Sequence, residues 1–112
     1  MILKKNFMFD VNPGGRPLRI RVSKNDSSSE FTFFLFSGEG VLDIPLNTTA
    51  VFQGQAGSTT ALFNVIDGIP TVSIELNKSL THKTGLIPFE IALTSGEYTL
   101  ITATLFLEVR RC

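Results

Sequence analysis

The side chains that could do chemistry in this 112-residue chain are few and stand apart. His82 is the sole histidine, the residue type whose ordinary pKa suits acid–base work near neutral pH. No carboxylate or serine is set beside it by a spacing that would make a relay, so it reads as a solvated loop residue. Asp26 is followed by Ser27, Ser28 and Ser29, and a carboxylate beside hydroxyls suits a metal or a nucleophile. No second carboxylate or histidine lies near, however, and Asp and Ser in a polar loop commonly bond nearby backbone amides. Gly14-Gly15 lacks the Lys-Ser/Thr and helix start of a phosphate loop, and with Asn12-Pro13 before it reads as a turn. Cys112, the only cysteine, is the last residue given, so no internal disulfide can form; it is an incidental thiol or half of an intermolecular bridge. The ten acidic residues are scattered singly, and catalysis needs polar groups that converge. The expectation is therefore no enzyme, with no catalytic, cofactor or metal site.

Composition narrows the function classes further. Lys plus Arg equals Asp plus Glu, at 10 each, which is no electrostatic footprint for nucleic acid and no polybasic surface for a membrane. Near-zero net charge also leaves little repulsion to oppose self-association. Apolar residues make up 43% and charged ones only 18%, with ten Phe, one Tyr and no Trp, so an apolar surface or a buried interface is expected. Two lysines follow Met1-Ile2-Leu3 without an apolar run behind them, so this start is not a signal peptide. No stretch approaches the roughly 18 apolar residues of a spanning helix, and a chain made in the cytoplasm without membrane insertion is expected.

The elements that must position these side chains are strands. Val72–Leu76, Ile87–Leu93 and Ile101–Val109 each alternate with period 2, so each offers one apolar edge to a core. Upstream, Leu3–Val11 alternates with Leu3, Lys5, Phe7, Phe9 and Val11 on one face and Met8 on the other, and Leu18–Val22 alternates with Arg19 and Arg21 outward. Those arginines are solvated or meet a partner. Thr48–Gln53 and Ala61–Ile66 read as further strands around a Gly54–Ser58 loop, and Asp67-Gly68 is a two-residue hairpin signal. Asn77–Gly85 has room for one helical turn. The sum is about eight short strands with turn residues every 8 to 12 positions or so, which predicts one all-β domain over 1–112, an immunoglobulin-like antiparallel β-sandwich. The Cys and Trp pair of antibody domains is absent.

Glu30–Phe36 is the most telling strand: Phe31, Phe33 and Leu35 share one face, while Thr32, Phe34 and Phe36 share the other. Its second apolar face is covered by the chain's own loops or by another chain. Phe34 and Phe36, with Met8 on the first strand, are the candidate interface residues.

The order of motifs resembles the N-terminal domain of the baseplate upper protein family of phages and prophages of Gram-positive bacteria. The likeness is carried by Phe9-Asp10-Val11-Asn12-Pro13-Gly14-Gly15, then Arg19-Ile20-Arg21-Val22-Ser23-Lys24-Asn25-Asp26 leading into Phe31-Thr32-Phe33, and Leu42-Asp43-Ile44-Pro45. It continues through Thr81-His82-Lys83-Thr84-Gly85-Leu86-Ile87-Pro88-Phe89-Glu90-Ile91 to a last strand at Ala103–Val109. Family members usually carry a Lys-Pro-Asp-Gly-like turn where this chain has Gly54-Gln55-Ala56-Gly57. The resemblance implies a structural virion protein, a homotrimeric attachment module that docks fibres or receptor-binding proteins on a baseplate, tail or head, with other phage structural proteins as partners. A carbohydrate-binding β-sandwich is the alternative; it would lean on exposed Trp and Tyr platforms, and the chain offers only Tyr98.

Overall fold

The computed structural model describes residues 4–12, 17–38, 40 and 42–111. Residues 13–15 of the expected Asn12–Gly15 turn, the start at residues 1–3 and the terminal Cys112 lie outside them. Within the described residues the chain is all-β, apart from one helical turn. The strands are β1 Lys4–Asp10, β2 Arg19–Ser23, β3 Glu30–Phe36, β4 Thr49–Gly54, β5 Gly57–Ile66, β6 Ile69–Glu75, β7 Gly85–Ser95, β8 Tyr98–Ile101 and β9 Leu105–Arg110, with α1 Lys78–Thr81 between β6 and β7. They form one hydrogen-bonded path, β1-β3-β6-β5-β4-β7-β9-β2, with β8 added to β7.

The path curls because β5 serves two neighbours in turn. Its first half, up to Ala61, pairs with β4, and its second half, from Leu62, pairs with β6. One half-sheet, β1-β3-β6, therefore faces another, β4-β7-β9-β2, across a core of Phe rings. Phe33 of β3 stacks on Phe52 of β4 at 6.1 Å, and Phe52 stacks on Phe89 of β7 at 4.7 Å. Phe7 and Phe9 of β1 close on Phe33 at 5.7 and 6.1 Å. Such ring pairs contribute beyond the area they bury.

Two pairings depart from the antiparallel expectation. β1 runs parallel to β3, and β2 parallel to β9. A parallel pair needs a long crossover. Here the connection from β1 to β3 leaves its own half-sheet, makes β2 at the far end of the path, and returns. The return loop is tied down by Asp26, whose carboxylate accepts from the backbone N–H groups of Ser28 and Ser29 and from the Ser29 hydroxyl at 2.8–3.2 Å.

Several expected elements hold with adjusted bounds. Asp67 and Gly68 both adopt positive φ, 52° and 79°, between paired Ile66 and Ile69, the geometry an Asp-Gly hairpin turn requires. Asn77 caps α1 by accepting from the Ser79 N–H at 3.0 Å. β5 begins at Gly57, so the expected Gly54–Ser58 loop shrinks to Gln55-Ala56; Ser58, Thr59 and Thr60 carry no apolar signal but pair with β4. Gly54 is required by a close approach, since a Cβ there would stand 2.4 Å from the Pro88 carbonyl oxygen. The mid-strand Pro88 is tolerated for a related reason. Its partner Phe106 turns its N–H to the carbonyl of Leu18, just before β2, at 2.8 Å, so no β7–β9 ladder bond depends on Pro88, and on its other side the β4 ladder stops at Gln53↔Glu90.

The run Ile101–Val109, expected as one strand, is broken into β8 and β9. Along β7, Ala92 pairs with Ile101 and Phe89 with Leu105. Glu90 and Ile91 thus stand opposite Thr102, Ala103 and Thr104, a bulge of one extra residue. An odd insertion exchanges the faces: Ile101 is 53% exposed, while Leu105, Leu107 and Val109 point into the core. Thr102 holds the bulge together. Its N–H donates to the Ile91 carbonyl, its hydroxyl accepts from the Ile91 N–H, and that hydroxyl donates to the Ala103 carbonyl, all at 3.0 Å. The Ala103 N–H reaches across to the Val11 carbonyl at 2.9 Å, latching β1 to this strand.

In urea melts, Phe52→Ala is expected to cost about 3–5 kcal/mol, as a large-to-small change in a packed core does. Thr102→Val, which leaves the Ile91 N–H one acceptor short in a buried place, is expected to cost about 1–3 kcal/mol. A loss near zero for Thr102→Val would contradict its role in the bulge.

Candidate interaction surface

The outward face of the β1-β3-β6-β5 half is built by register. Met8 stands directly opposite Phe34, and Asp10 opposite Phe36. Residues opposite each other share a face, so the three candidates Met8, Phe34 and Phe36 come together. Met8 is 63% exposed, and the two rings are half-buried. Following the same rows outward, Phe34 aligns with Thr71 and Asn64, and Thr32 with Ser73 and Leu62. The Thr32 and Ser73 hydroxyls bond each other at 2.9 Å, and the buried Thr71 hydroxyl donates to the Asn64 carbonyl at 3.2 Å. The middle of the face is thereby internally satisfied. Exposed Leu62 and Ile66 extend the apolar surface at its β5 end. These two are not distinguished in the sequence, because β5 carries apolar residues on both faces, Leu62 and Ile66 against Phe63 and Val65, so nothing in the pattern separates outside from inside.

The second outward face carries charge. Arg21 stands opposite Glu108 in the parallel β2–β9 register, with Arg19 one row before it and Arg110 one row beyond on β9. All three guanidiniums bond the Glu108 carboxylate: Arg19 at 2.7 Å, Arg110 at 2.8 Å and Arg21 at 3.1 Å. Arg110 foremost, then Arg19 and Arg21, hold the Glu108 carboxyl below the ordinary carboxylate range against a partial desolvation. For Asp26, burial pushes the carboxyl up, but the hydrogen bonds from Ser29 and Ser28 outweigh it and the net shift is downward.

The residues singled out for chemistry stay apart. His82 ends α1 in solvent, its Nδ1 3.0 Å from the Ser79 carbonyl oxygen, to which it donates in the tautomer protonated there. A depression of about 510 Å³ beside Gln53, Gly54, Pro88 and Thr104 holds one carboxylate, Glu90, which accepts from the Gln53 amide at 3.2 Å. One carboxylate and an amide are not an acid–base pair. Tyr98, 62% exposed, lies at the β7–β8 turn and does not line that depression. Among the described residues no group of three or more His, Cys, Asp or Glu is placed to hold a metal, and no helix is long and apolar enough to cross a membrane.

No family model matches the chain, and no curated protein matches it. Among solved structures it is similar to the N-terminal domain of phage TP901-1 ORF48. The TM-score is 0.60 at 12% identity, over 96% of this chain and 99% of that one. At that identity the likeness is one of fold.

The two lowered carboxyls set a pH dependence. Each has a folded-state pKa below its unfolded one, so its stabilisation is in place above the ordinary carboxylate pKa of about 4 and is lost as pH falls through the folded value. The stability difference between the parent chain and Asp26→Asn, measured by urea melts, is accordingly expected to be full at neutral pH and to shrink below about pH 4. A difference constant with pH would contradict the Asp26 loop anchor.

Proposed function

We propose that this chain is a structural virion protein, an attachment or adaptor module that seats fibres or receptor-binding proteins on a phage baseplate, tail or head. It acts as a homotrimer, as the resemblance to the baseplate upper protein family implies. The observation that carries the reading is the outward Met8–Phe34–Phe36 face on a sheet whose other side is packed by the Phe33–Phe52–Phe89 stack. Apolar side chains fixed on a rigid sheet lose little freedom when covered. Burying them yields about 25 cal/mol per Å², less the cost of association. The fold likeness to the N-terminal domain of a phage protein supports the same reading.

Light scattering behind a sizing column, at several concentrations, tests the assembly. The isolated chain is expected to run at three times its own mass, and Phe34→Ser or Phe36→Ser to move it toward the monomer. A clean monomer at high concentration would remove self-assembly from the proposal.

A further inference from the structure

The curled path has two ends, β1 and β2, and the seam between them closes on one side only. At the β1 C-terminal end the Ala103 N–H to Val11 carbonyl bond latches it. At the other end a groove of about 250 Å³ remains between Lys5 of β1 and Arg21, Ser23 and Arg110 of the β2–β9 pair, floored by the buried Val22 and Phe31. Asp26 and Ser29 also line it, the Asp26 carboxylate being engaged by Ser28 and Ser29, so that Lys5, Arg21 and Arg110 face one carboxylate there besides Glu108.

The backbone along this groove is specific about what it presents. Phe106 donates its N–H to the Leu18 carbonyl, and Lys24 donates its N–H to Arg110. In a strand both backbone groups of one residue point to the same side and alternate along the chain. Leu18, Ile20, Val22 and Lys24 therefore face β9, while Arg19, Arg21 and Ser23 turn their N–H and C=O groups to the free edge. Among the described residues β2 has no other strand partner.

Arg19 and Arg21, with Arg110 of β9, supply the charge. Three guanidiniums share the single Glu108 carboxylate, each through one nitrogen, and each is more than half exposed. A guanidinium carries five donors in a rigid fork, so most of these donors remain for an incoming acceptor, with their stems already held by Glu108. Lys5 adds a further cation at the groove, with no acidic partner within 4.0 Å among the described residues. In a chain of zero net charge this strip is locally cationic.

We propose that the free edge of β2 is a docking site for an extended acidic segment of a partner protein, which adds as a strand. Its backbone would pair with Arg19, Arg21 and Ser23. Its outward side chains, on the face shared with Arg19 and Arg21, would be Asp or Glu at every second position, and those between would be apolar and enter the groove over Val22 and Phe31. Main-chain bonds supply affinity in such strand addition, and the alternating side chains supply selectivity. Arginine on an edge strand also discourages unwanted pairing; an acidic strand is the partner that such an edge admits.

The test uses a labelled peptide of about ten residues, strand length, alternating glutamate with valine and threonine. Its controls are the same composition with the glutamates in one block, and inorganic polyphosphate. Anisotropy titrations are expected to show saturable binding of the alternating peptide. Arg19→Ser with Arg21→Ser should weaken it roughly tenfold, the scale of two exposed ion pairs. Leu46→Ser, at an exposed residue outside the groove, should leave it unchanged. Amide exchange followed by NMR is expected to slow at Arg21 and Ser23 on binding. No saturable binding, equal binding of the block peptide or of polyphosphate, or unchanged exchange at Arg21 and Ser23 would overturn the proposal.

Discussion

The ring of Phe52 lies against Phe33 on one side and Phe89 on the other, joining β3 in one half of the curled sheet to β4 and β7 in the other. All three rings are fully buried. Because a strand alternates its side chains, placing Phe31, Phe33 and Leu35 inward sends Thr32, Phe34 and Phe36 outward without further choice. The apolar outer face is thus a consequence of the core's register. A one-residue slip of β3 would bury the surface and expose the stack.

The bulge at Thr102 applies the same rule in reverse. Without the extra residue, Ile101 and Leu105 would share a face, and either the β8 end or the whole of β9 would be misdirected. With it, Leu105, Leu107 and Val109 enter the core, and Phe106, Glu108 and Arg110 line the outside. That outward set meets Arg19 and Arg21 across the parallel β2–β9 ladder. The cationic cluster therefore depends on one buried hydroxyl some distance away, through register alone. The molecule ends up with two outward faces of different chemistry, one apolar at Met8 and Phe34 and one charged around Glu108.

Much of this was legible in the residues, and the limits have identifiable causes. Period-2 runs with strong turn chemistry were readable: β6, the Asp67-Gly68 hairpin and the helical turn within Asn77–Gly85 are encoded locally, within a few residues of one another. The all-β class followed from their number. The grouping of Met8, Phe34 and Phe36 on outward faces followed from alternation, but their meeting on adjacent strands depended on a β1–β3 pairing that no local signal specifies. The bulge was invisible because Ile101 to Val109 alternates without interruption, and only the pairing with β7 reveals the extra residue. Glu108 carries no signal of its own in the sequence for a related reason. It is an ordinary outward carboxylate until the parallel register sets Arg21 opposite it and Arg19 and Arg110 on either side.

On the proposed function, the Met8–Phe34–Phe36 face is covered by protein in the working assembly. Photo-crosslinking from a benzophenone side chain in place of Phe34, in the assembled particle and read by mass spectrometry, tests it most directly. Crosslinks to a second copy of this chain, of twice its mass, or to another particle protein are expected. Crosslinks only within a single copy, shown by a product of one chain's mass, or recovery of the unreacted benzophenone would contradict it.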